Sequence, residues 1–461
     1  MQSLQSIEGR VREALAPFLP LFEKFEAAGF ELYAVGGCVR DWALGATPKD
    51  IDFTTDALPE QTREVLASNG YKVIPVGEVF GTIATVIGHK NYEITTYRVK
   101  ESYTRGSRHP IVCFGKSLAL DLERRDLTIN AMAAGRDGTI VDPFDGLGDL
   151  EKGLLRVPHS SYEKTLEIFS DDPLRILRLA RFKARLGFDV CRETTMAARD
   201  MAGSVLGVSH ERWFAEIDGM LRARDPQSGM DWLCEIGVWQ MLFPEFVPLM
   251  DAKVEPQMLS ESHAREGNET LWAQTIRRVR SSVADDDGRW VALFSLLGYS
   301  TTLDTVWASA VTRMMAEQIM VRLKFSNARC DAVMKRLTML PPGKPTYRTA
   351  RELAISLGDQ ILSWIESVAV CCGTLEENRN AEDERLGLWK DALAPYIADP
   401  KSAEVQLPAG LSQRLSADLG VRGKTLGLCI THCREAVLDQ QLRENDDVER
   451  FVEWVRTHFD A

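Results

Sequence analysis

The sequence predicts an α+β protein, with a small α/β domain over residues 1–153, an all-helical neck over 154–225 and an all-helical body and tail over 226–461. Three observations predict it. Over the first third, short apolar or β-branched runs alternate with segments of helical period. From about Leu154 onward almost every stretch has helical periodicity, interrupted by Pro/Gly joints at 340–345 and 408–410. Residues 33–55, YAVGGCVRDWALGATPKDIDFTT, set an apolar strand, a Gly-Gly turn, a short helix and an acid-bearing strand in an order suited to chemistry on a phosphate.

Taken in order, an amphipathic helix opens the chain and a strand runs to Gly37. A short helix through Trp42 carries Arg40 and Asp41, and a strand then presents Asp50 and Asp52. Residues two apart on a strand share a face, so both carboxylates point out together while Ile51 and Phe53 turn inward. Such a pair is a hard-oxygen site for Mg²⁺. Gly36 and Gly37 let the backbone approach a triphosphate and aim amide N–H groups at it. A plain turn and a solvated strand edge are the bland alternatives for the two features taken singly. Their succession within one short stretch favours the site. A helix at 59–68 and β-branched runs at 72–76, 82–87 and 92–97 complete the first domain.

A chain of 461 residues has room for two or more cores. Its net charge of −12 offers no global basic field, so a nucleic-acid partner would be held by a local patch. Nine scattered cysteines without a CxxC pair give neither a zinc signature nor a disulfide framework, which fits a reducing, cytoplasmic compartment. The N-terminal helix contains acids, unlike a targeting segment, and no apolar run approaches membrane-spanning length.

Further motifs bear on chemistry. Glu93 faces the same way as Thr95 and Tyr97 on a strand, either as a third carboxylate near the metal or as a surface glutamate. In ERRDLTINAMA, Arg124 and Arg125 can clamp phosphate oxygens, while Asp126 and Asn130, four apart, can hydrogen-bond ribose hydroxyls. An ordinary surface pair is the alternative. The acid-rich turn at 142–146 reads as structural. In SDDPLRILRLARFKARLGF, Pro173 suits a first helical position and Asp172 an N-cap, with Arg175, Arg178, Arg181, Lys183 and Arg185 following. Asp172 and Arg175, three apart, can form one flat hydrogen-bonding edge. A carboxylate accepts from the exocyclic amine of cytosine or adenine, and a guanidinium donates to the unprotonated ring nitrogen beside it. Uracil and guanine present the opposite pattern, so this edge would take CTP and ATP and reject UTP and GTP.

With these motifs in view, the sequence resembles the class II, bacterial-type tRNA nucleotidyltransferases, the CCA-adding enzymes of the polymerase-β-like superfamily. GGCVRD with DIDF is similar to the family's metal and triphosphate motif, RRDLTINA to its ribose motif, DPFDGLGDL to its hinge and DDPLRILRLARF to its base-recognition motif. HERWFAEI, with Glu211, Arg212 and Glu216, looks like the segment that braces that helix. The resemblance is dense over residues 33–246 and sparse beyond, where GKTLGLCITHCREAVLD is similar to a segment near the end of many members. It implies a nucleotidyltransferase head, with Asp50, Asp52 and Arg40 as catalytic residues and Mg²⁺ on the two acids. Gly36, Gly37, Arg40, Arg125, Asp126, Asn130, Asp172, Arg175 and Arg178 would hold the nucleotide. A flexible loop would carry Tyr103, Arg105 and Arg108.

Two departures stand out. Asp171 replaces a glutamate common in the family, and Ser295-Leu296 stand where some relatives have His-Asp, so no phosphatase activity is expected. The resemblance implies two-metal nucleotidyl transfer from CTP and ATP to tRNA, without a membrane. VFGTIATV and the full-length loop segment 99–121 favour complete CCA addition over CC or A addition or poly(A) synthesis. An RNA-binding protein on an inactive scaffold is the non-enzymatic alternative. The presence of Asp50, Asp52, Arg125 and Arg175 argues against it.

Overall fold

A computed structural model of the chain describes residues 4–74, 80–103, 110–159, 161–253, 270–282, 287–300, 305–337, 344–372 and 379–459. The chain divides into two compact units. One comprises Met1–Val247 with Arg322–Lys324, and the other Pro248–Val321 with Phe325–Ala461. The sheet and the expected neck thus fall in one unit, together with the first helices of the expected body.

The first unit opens with α1 (Leu4–Leu15) and α2 (Leu19–Ala27), followed by β1 (Leu32–Val35) and α3 (Gly37–Ala43). Next come β2 (Asp52–Thr55), α4 (Pro59–Ser68), β3 (Lys72–Ile74), β4 (Thr82–Ile87) and β5 (Lys90–Thr96). A separate antiparallel hairpin, β6 (Arg98–Tyr103) with β7 (Pro110–Phe114), leads to α5 (Leu118–Glu123). The two-residue strands β8 (Ala133–Ala134) and β9 (Ile140–Val141) then precede α6 (Gly146–Lys152).

Seven strands form one sheet in the order β3-β4-β5-β2-β1-β8-β9. Every pairing in it is antiparallel except β2 with β5. Its central strands are buried on both faces, with Phe53, Thr54 and Thr55 of β2 all enclosed. Phe53 is fully buried and meets Phe18, Phe22 and Tyr92 edge-on, with centroids 4.9 to 6.5 Å apart among the four rings. Local chemistry sets the ends. Pro59 opens α4 and Gln61 Oε1 accepts from the Leu58 amide, while Arg10 donates to the last carbonyls of α3 at Trp42 and Ala43. The acid-rich turn is structural, since Asp142 accepts from the Gly146 and Leu147 amides at the start of α6.

After β10 (Leu154–Leu155) the unit is helical. It runs through α7 (Tyr162–Asp171), α8 (Leu174–Leu186), β11 (Asp189–Val190), α9 (Arg192–Asp200), α10 (His210–Leu221), α11 (Pro226–Glu235) and α12 (Val238–Leu242). The parallel pair β10 and β11 corrects the all-helical expectation. Strands of two residues are too short to show a period. Helix α8 buries Ile176, Leu177, Leu179 and Ala180, and α11 approaches it so closely that a Cβ on Gly229 would lie 2.6 Å from the Ala180 carbonyl oxygen.

The second unit contains α13 (Val247–Asp251) from Pro248 onward, then α14 (Leu271–Ser281), α15 (Gly288–Phe294), α16 (Thr305–Arg322) up to Val321 and α17 (Asn327–Arg336). It continues with α18 (Tyr347–Leu357), α19 (Ile361–Cys372), α20 (Arg379–Ile397), α21 (Leu411–Leu419), α22 (Gly423–Leu438) and α23 (Val448–His458). Trp364 and Trp389 centre one of its cores, and Leu415, Cys433 and Phe451 another. Among the described residues, no helix is long and apolar enough to cross a membrane.

Candidate active site

A cleft of about 360 Å³ opens in the first unit. Asp52 and Phe53 of β2, Val35 of β1, Thr82 of β4 and Glu93 and Thr95 of β5 form one side. Arg98, Arg124, Arg125 and Asp126 form a second, and Asp172, Leu174, Arg175, Arg178 and Arg212 a third. Residues spread over 178 positions of sequence thus meet in one cavity.

The acids are arranged differently from the expectation of a pair two apart on one strand. Strand β2 begins at Asp52, so Asp50 lies ahead of it, exposed, and near enough for its carboxylate to act on Asp52. The neighbour of Asp52 in the ladder is Glu93, its parallel partner on β5. Parallel register sets side chains of paired residues on one face, about 5 Å apart. Although Asp52 reaches solvent through the mouth of the cleft, desolvation by the surrounding walls raises its pKa, and the Glu93 and Asp50 carboxylates raise it further. Arg125 opposes them.

The arginine wall is organised from beneath. Asp121 of α5, wholly buried, accepts from Arg124 Nε at 3.0 Å and Nη2 at 2.6 Å, from Arg125 Nη2 at 3.2 Å and from the Arg98 amide at 3.0 Å. Burial disfavours its charge, but Arg125 and Arg124 outweigh that cost and hold the carboxyl down at about 2. Arg125 in turn packs against the β1–α3 turn. Gly36 has φ +81°, a left-handed conformation that favours glycine, and a Cβ there would lie 2.9 Å from Arg125 Nη1. The two glycines expected to approach a phosphate therefore also make room for a guanidinium, while Gly37 starts α3.

The third side carries the expected base-reading edge. Asp172 is buried, with Oδ1 accepting from the Leu174 amide at 3.2 Å and Oδ2 from Arg212 at 2.7 Å. The first of these bonds helps fix the backbone where α8 starts, but the N-cap is Pro173 and not the expected Asp172, with Leu174 the first helical residue. Arg175 Nη2 donates to the Arg124 carbonyl at 2.6 Å, which ties this edge to the arginine wall. Arg178 is bound to Asp126 at 2.6 Å and faces Glu216 at 3.8 Å, and Glu216 also pairs with Arg181 at 2.6 Å. Arg212 and Glu216 thus brace α8, and Arg212 lines the cleft as well.

Three of the expected nucleotide ligands are tied into internal hydrogen bonds. Arg40 is buried, donates to Asp41 at 2.6 Å and to Asn130 Oδ1 at 2.6 Å, and lies over the Phe182 ring. Asn130 is also buried, and its amide donates to Asp126 Oδ1 at 3.1 Å. Asp126 lines the cleft, and its oxygens accept from Asn130 and Arg178. Burial raises its pKa, and Arg178 together with the bond from Asn130 more than reverses that. The helix expected to carry Asp126 and Asn130 does not form, since α5 ends at Glu123 and Thr128–Asn130 make a separate 3-10 turn, but the two side chains still meet in a buried relay from Arg40 to Arg178. Tyr103 ends β6, with Pro110 opposite, while Arg105 and Arg108 lie outside the described residues. Asp121 and Arg98 escaped the sequence reading. The spacing of Asp121, three and four before Arg124 and Arg125, was the available signal.

Residues 32–156 match the family model described as "Poly A polymerase head domain", and residues 187–250 match "Probable RNA and SrmB- binding site of polymerase A". Residues 32–156 thus carry a head domain of the poly(A) polymerase type. A CCA-adding enzyme of Streptococcus mutans is 35% identical over 263 residues, covering 56% of this chain and 62% of that one. A CCA-adding enzyme of Streptococcus sanguinis is 37% identical over 239 residues, covering 52% and 57%. The chain thus spans less than two thirds of the length of these relatives. The Bacillus stearothermophilus CCA-adding enzyme in complex with CTP shares the fold, with TM-score 0.66, 23% identity and coverage of 96% and 98%. The Thermotoga maritima CCA-adding enzyme complexed with tRNA-CCA has TM-score 0.56, 20% identity and coverage of 100% and 99%. The match to the poly(A) polymerase head spans Asp52, Glu93, Asp121 and the arginine wall, while α8 with Asp172 and Arg175 lies between the two matched segments.

Proposed function

We propose that the protein is a template-independent RNA nucleotidyltransferase that adds CCA to tRNA 3′ ends from CTP and ATP. One observation carries the reading. The acids of the sheet and the Asp172, Arg175 and Arg178 edge of α8 line the same cleft, with the arginine wall between them. A nucleotide lying across it would set its triphosphate beside Asp52 and Arg125 and its base against α8.

The donor set suits a divalent cation. Asp52 and Glu93 stand side by side, and the pKa of Asp52 is raised first by desolvation and then by repulsion from Glu93, both of which such an ion offsets. Among the described residues, no group of three His, Cys, Asp or Glu forms a ready-made metal cage. An open carboxylate wall completed by substrate phosphates and water is what Mg²⁺ accepts, and Asp52 with Glu93 and Asp50 would hold it. When bound, the metal supplies Lewis acidity toward phosphate oxygens and acidifies a nearby hydroxyl, the chemistry of two-metal transfer.

In the transfer itself, the RNA 3′ oxygen bonds to the α-phosphorus and pyrophosphate leaves with the α–β bridging oxygen. Arg124 and Arg125 orient the triphosphate for that in-line displacement. Asp172 accepts from the exocyclic amine of C or A, and Arg175 donates to the ring nitrogen beside it. The helical body and tail would hold the tRNA acceptor stem by its backbone, since side chains cannot read the major groove of duplex RNA, and binding would weaken with salt. The solved relatives with CTP and with tRNA support this reading. Its expected setting is a reducing cytoplasm.

The test is incorporation of labelled CTP and ATP into tRNA lacking its 3′ end, with Mg²⁺, beside Asp52→Ala. Product ends are sequenced with CTP alone, ATP alone and both. Ends in CCA with both nucleotides support the proposal. Ends that stop at CC, gain A alone or carry A tails assign the chain to the partial or poly(A) activities of its family. Full incorporation by Asp52→Ala refutes the metal assignment, and no incorporation by the natural chain leaves the inactive-scaffold reading.

A further inference from the structure

Asp121 takes no part in the reading above, yet three cleft arginines converge on it. Its two oxygens receive the Arg124 and Arg125 guanidiniums, the Arg98 backbone amide and, at 3.3 Å, the Thr54 hydroxyl. Thr54 lies on β2, two residues beyond Asp52, and Arg98 begins the β6–β7 hairpin, whose carbonyl also accepts from Arg124 at 3.1 Å. One buried anion therefore joins the acid-bearing strand, the hairpin root and the arginine wall. Each bond to a guanidinium restricts a long side chain that would otherwise sample many rotamers.

We propose that Asp121 is a positioning residue, which sets Arg124 and Arg125 against the triphosphate of the incoming nucleotide. The inference rests on the proposed nucleotidyl transfer. The triphosphate, rather than the base, is the part concerned. Arg125 lies beside Gly36 and stabilises the Asp52 charge, whereas the base-reading groups are on α8. The carboxylate remains ionised at every working pH, so the device is geometric and not a proton switch.

A geometric role and a purely electrostatic one predict opposite signs. Removing a negative charge from beside a polyanion site tightens triphosphate binding, whereas removing an anchor loosens it. Asp121→Asn conserves shape but faces the guanidiniums with an amide donor. The expected result is a rise of about tenfold or more in KM for CTP and for ATP. KM for tRNA should stay within about twofold, because that surface lies elsewhere. The inhibition constant of inorganic tripolyphosphate, a probe without a base, should rise in parallel. In an Arg124→Ala/Arg125→Ala background, adding Asp121→Asn should change these constants by less than about twofold, since Asp121 acts through those side chains.

Asp121→Glu provides a second variant, with charge and acceptors kept and the carboxylate displaced by one methylene. The same shifts, smaller but of the same sign, are expected. Unchanged or tighter CTP and tripolyphosphate binding in either folded variant overturns the positioning role while leaving the transfer reaction standing. A natural chain that neither binds CTP nor extends tRNA overturns both.

Discussion

Asp172→Asn isolates base reading from folding more sharply than any other substitution in the cleft. The side chain is buried, and its two oxygens accept from the Leu174 amide at 3.2 Å and from Arg212 at 2.7 Å. An asparagine has one acceptor for these two donors, and its NH₂ meets either Arg212 or the exocyclic amine of the base as donor against donor. A hydrogen bond to a charged group contributes about 1.5–3 kcal/mol, so the preference for CTP over UTP should fall roughly 10- to 150-fold in kcat/KM. The assay is single-nucleotide extension of a tRNA lacking its 3′ end with CTP and UTP in parallel, with binding of the same tRNA as the control for folding. Both nucleotides should approach a common, lower efficiency. A folded variant that binds tRNA and keeps the natural CTP to UTP ratio would refute the argument that Asp172 reads the base.

Three further outcomes follow from the same geometry. Asp52→Asn should reduce transfer by about 10³-fold or more while raising the metal-free melting temperature at neutral pH. The sign comes from linkage: the folded-state pKa of Asp52 is raised, so the natural protein loses stability as pH rises through that value, and asparagine removes the loss. Parallel melts across acid and neutral pH check it. Gly36→Ala forces an L residue into φ +81° and sets a Cβ 2.9 Å from Arg125 Nη1, which should cost about 1–2 kcal/mol of stability and about tenfold or more in kcat/KM for CTP. Chemical denaturation and extension kinetics measure the two effects. Arg40→Met leaves the buried Asp41 and Asn130 acceptors without their donor, so unfolding should become easier by about 3–5 kcal/mol. KM for CTP, measured below the melting temperature, should stay within about threefold, whereas direct contact of Arg40 with the nucleotide would raise it far more.

Much of this architecture could be read from local pattern. The alternation of short apolar runs marked β1, β2, β4 and β5, because a residue's face on a strand follows from its parity. Pro59, and Pro173 beside Asp172, marked helix starts because their local hydrogen bonding is set within four residues. The motif at 33–55 and the basic helix α8 were legible for the same reason, and the cleft brings Asp52 of the first together with Asp172, Arg175 and Arg178 of the second. Strands β8 to β11 were not legible, since two residues show no period.

What the chain determined by itself was which chemical groups exist and how each is spaced along its own helix or strand. Only tertiary packing decided which of them meet. Parallel pairing of β2 with β5 made Glu93 the ladder neighbour of Asp52, in addition to Asp50 two residues earlier in the chain. Burial made Arg40 and Asn130 links of an internal relay, because a guanidinium removed from water must spend its donors on the nearest acceptors. Asp121 gained its place at the centre of the arginine wall in the same way. Its spacing to Arg124 and Arg125 is local, but its contacts to β2 and the hairpin depend on pairings 67 and 23 residues distant, which no local pattern encodes.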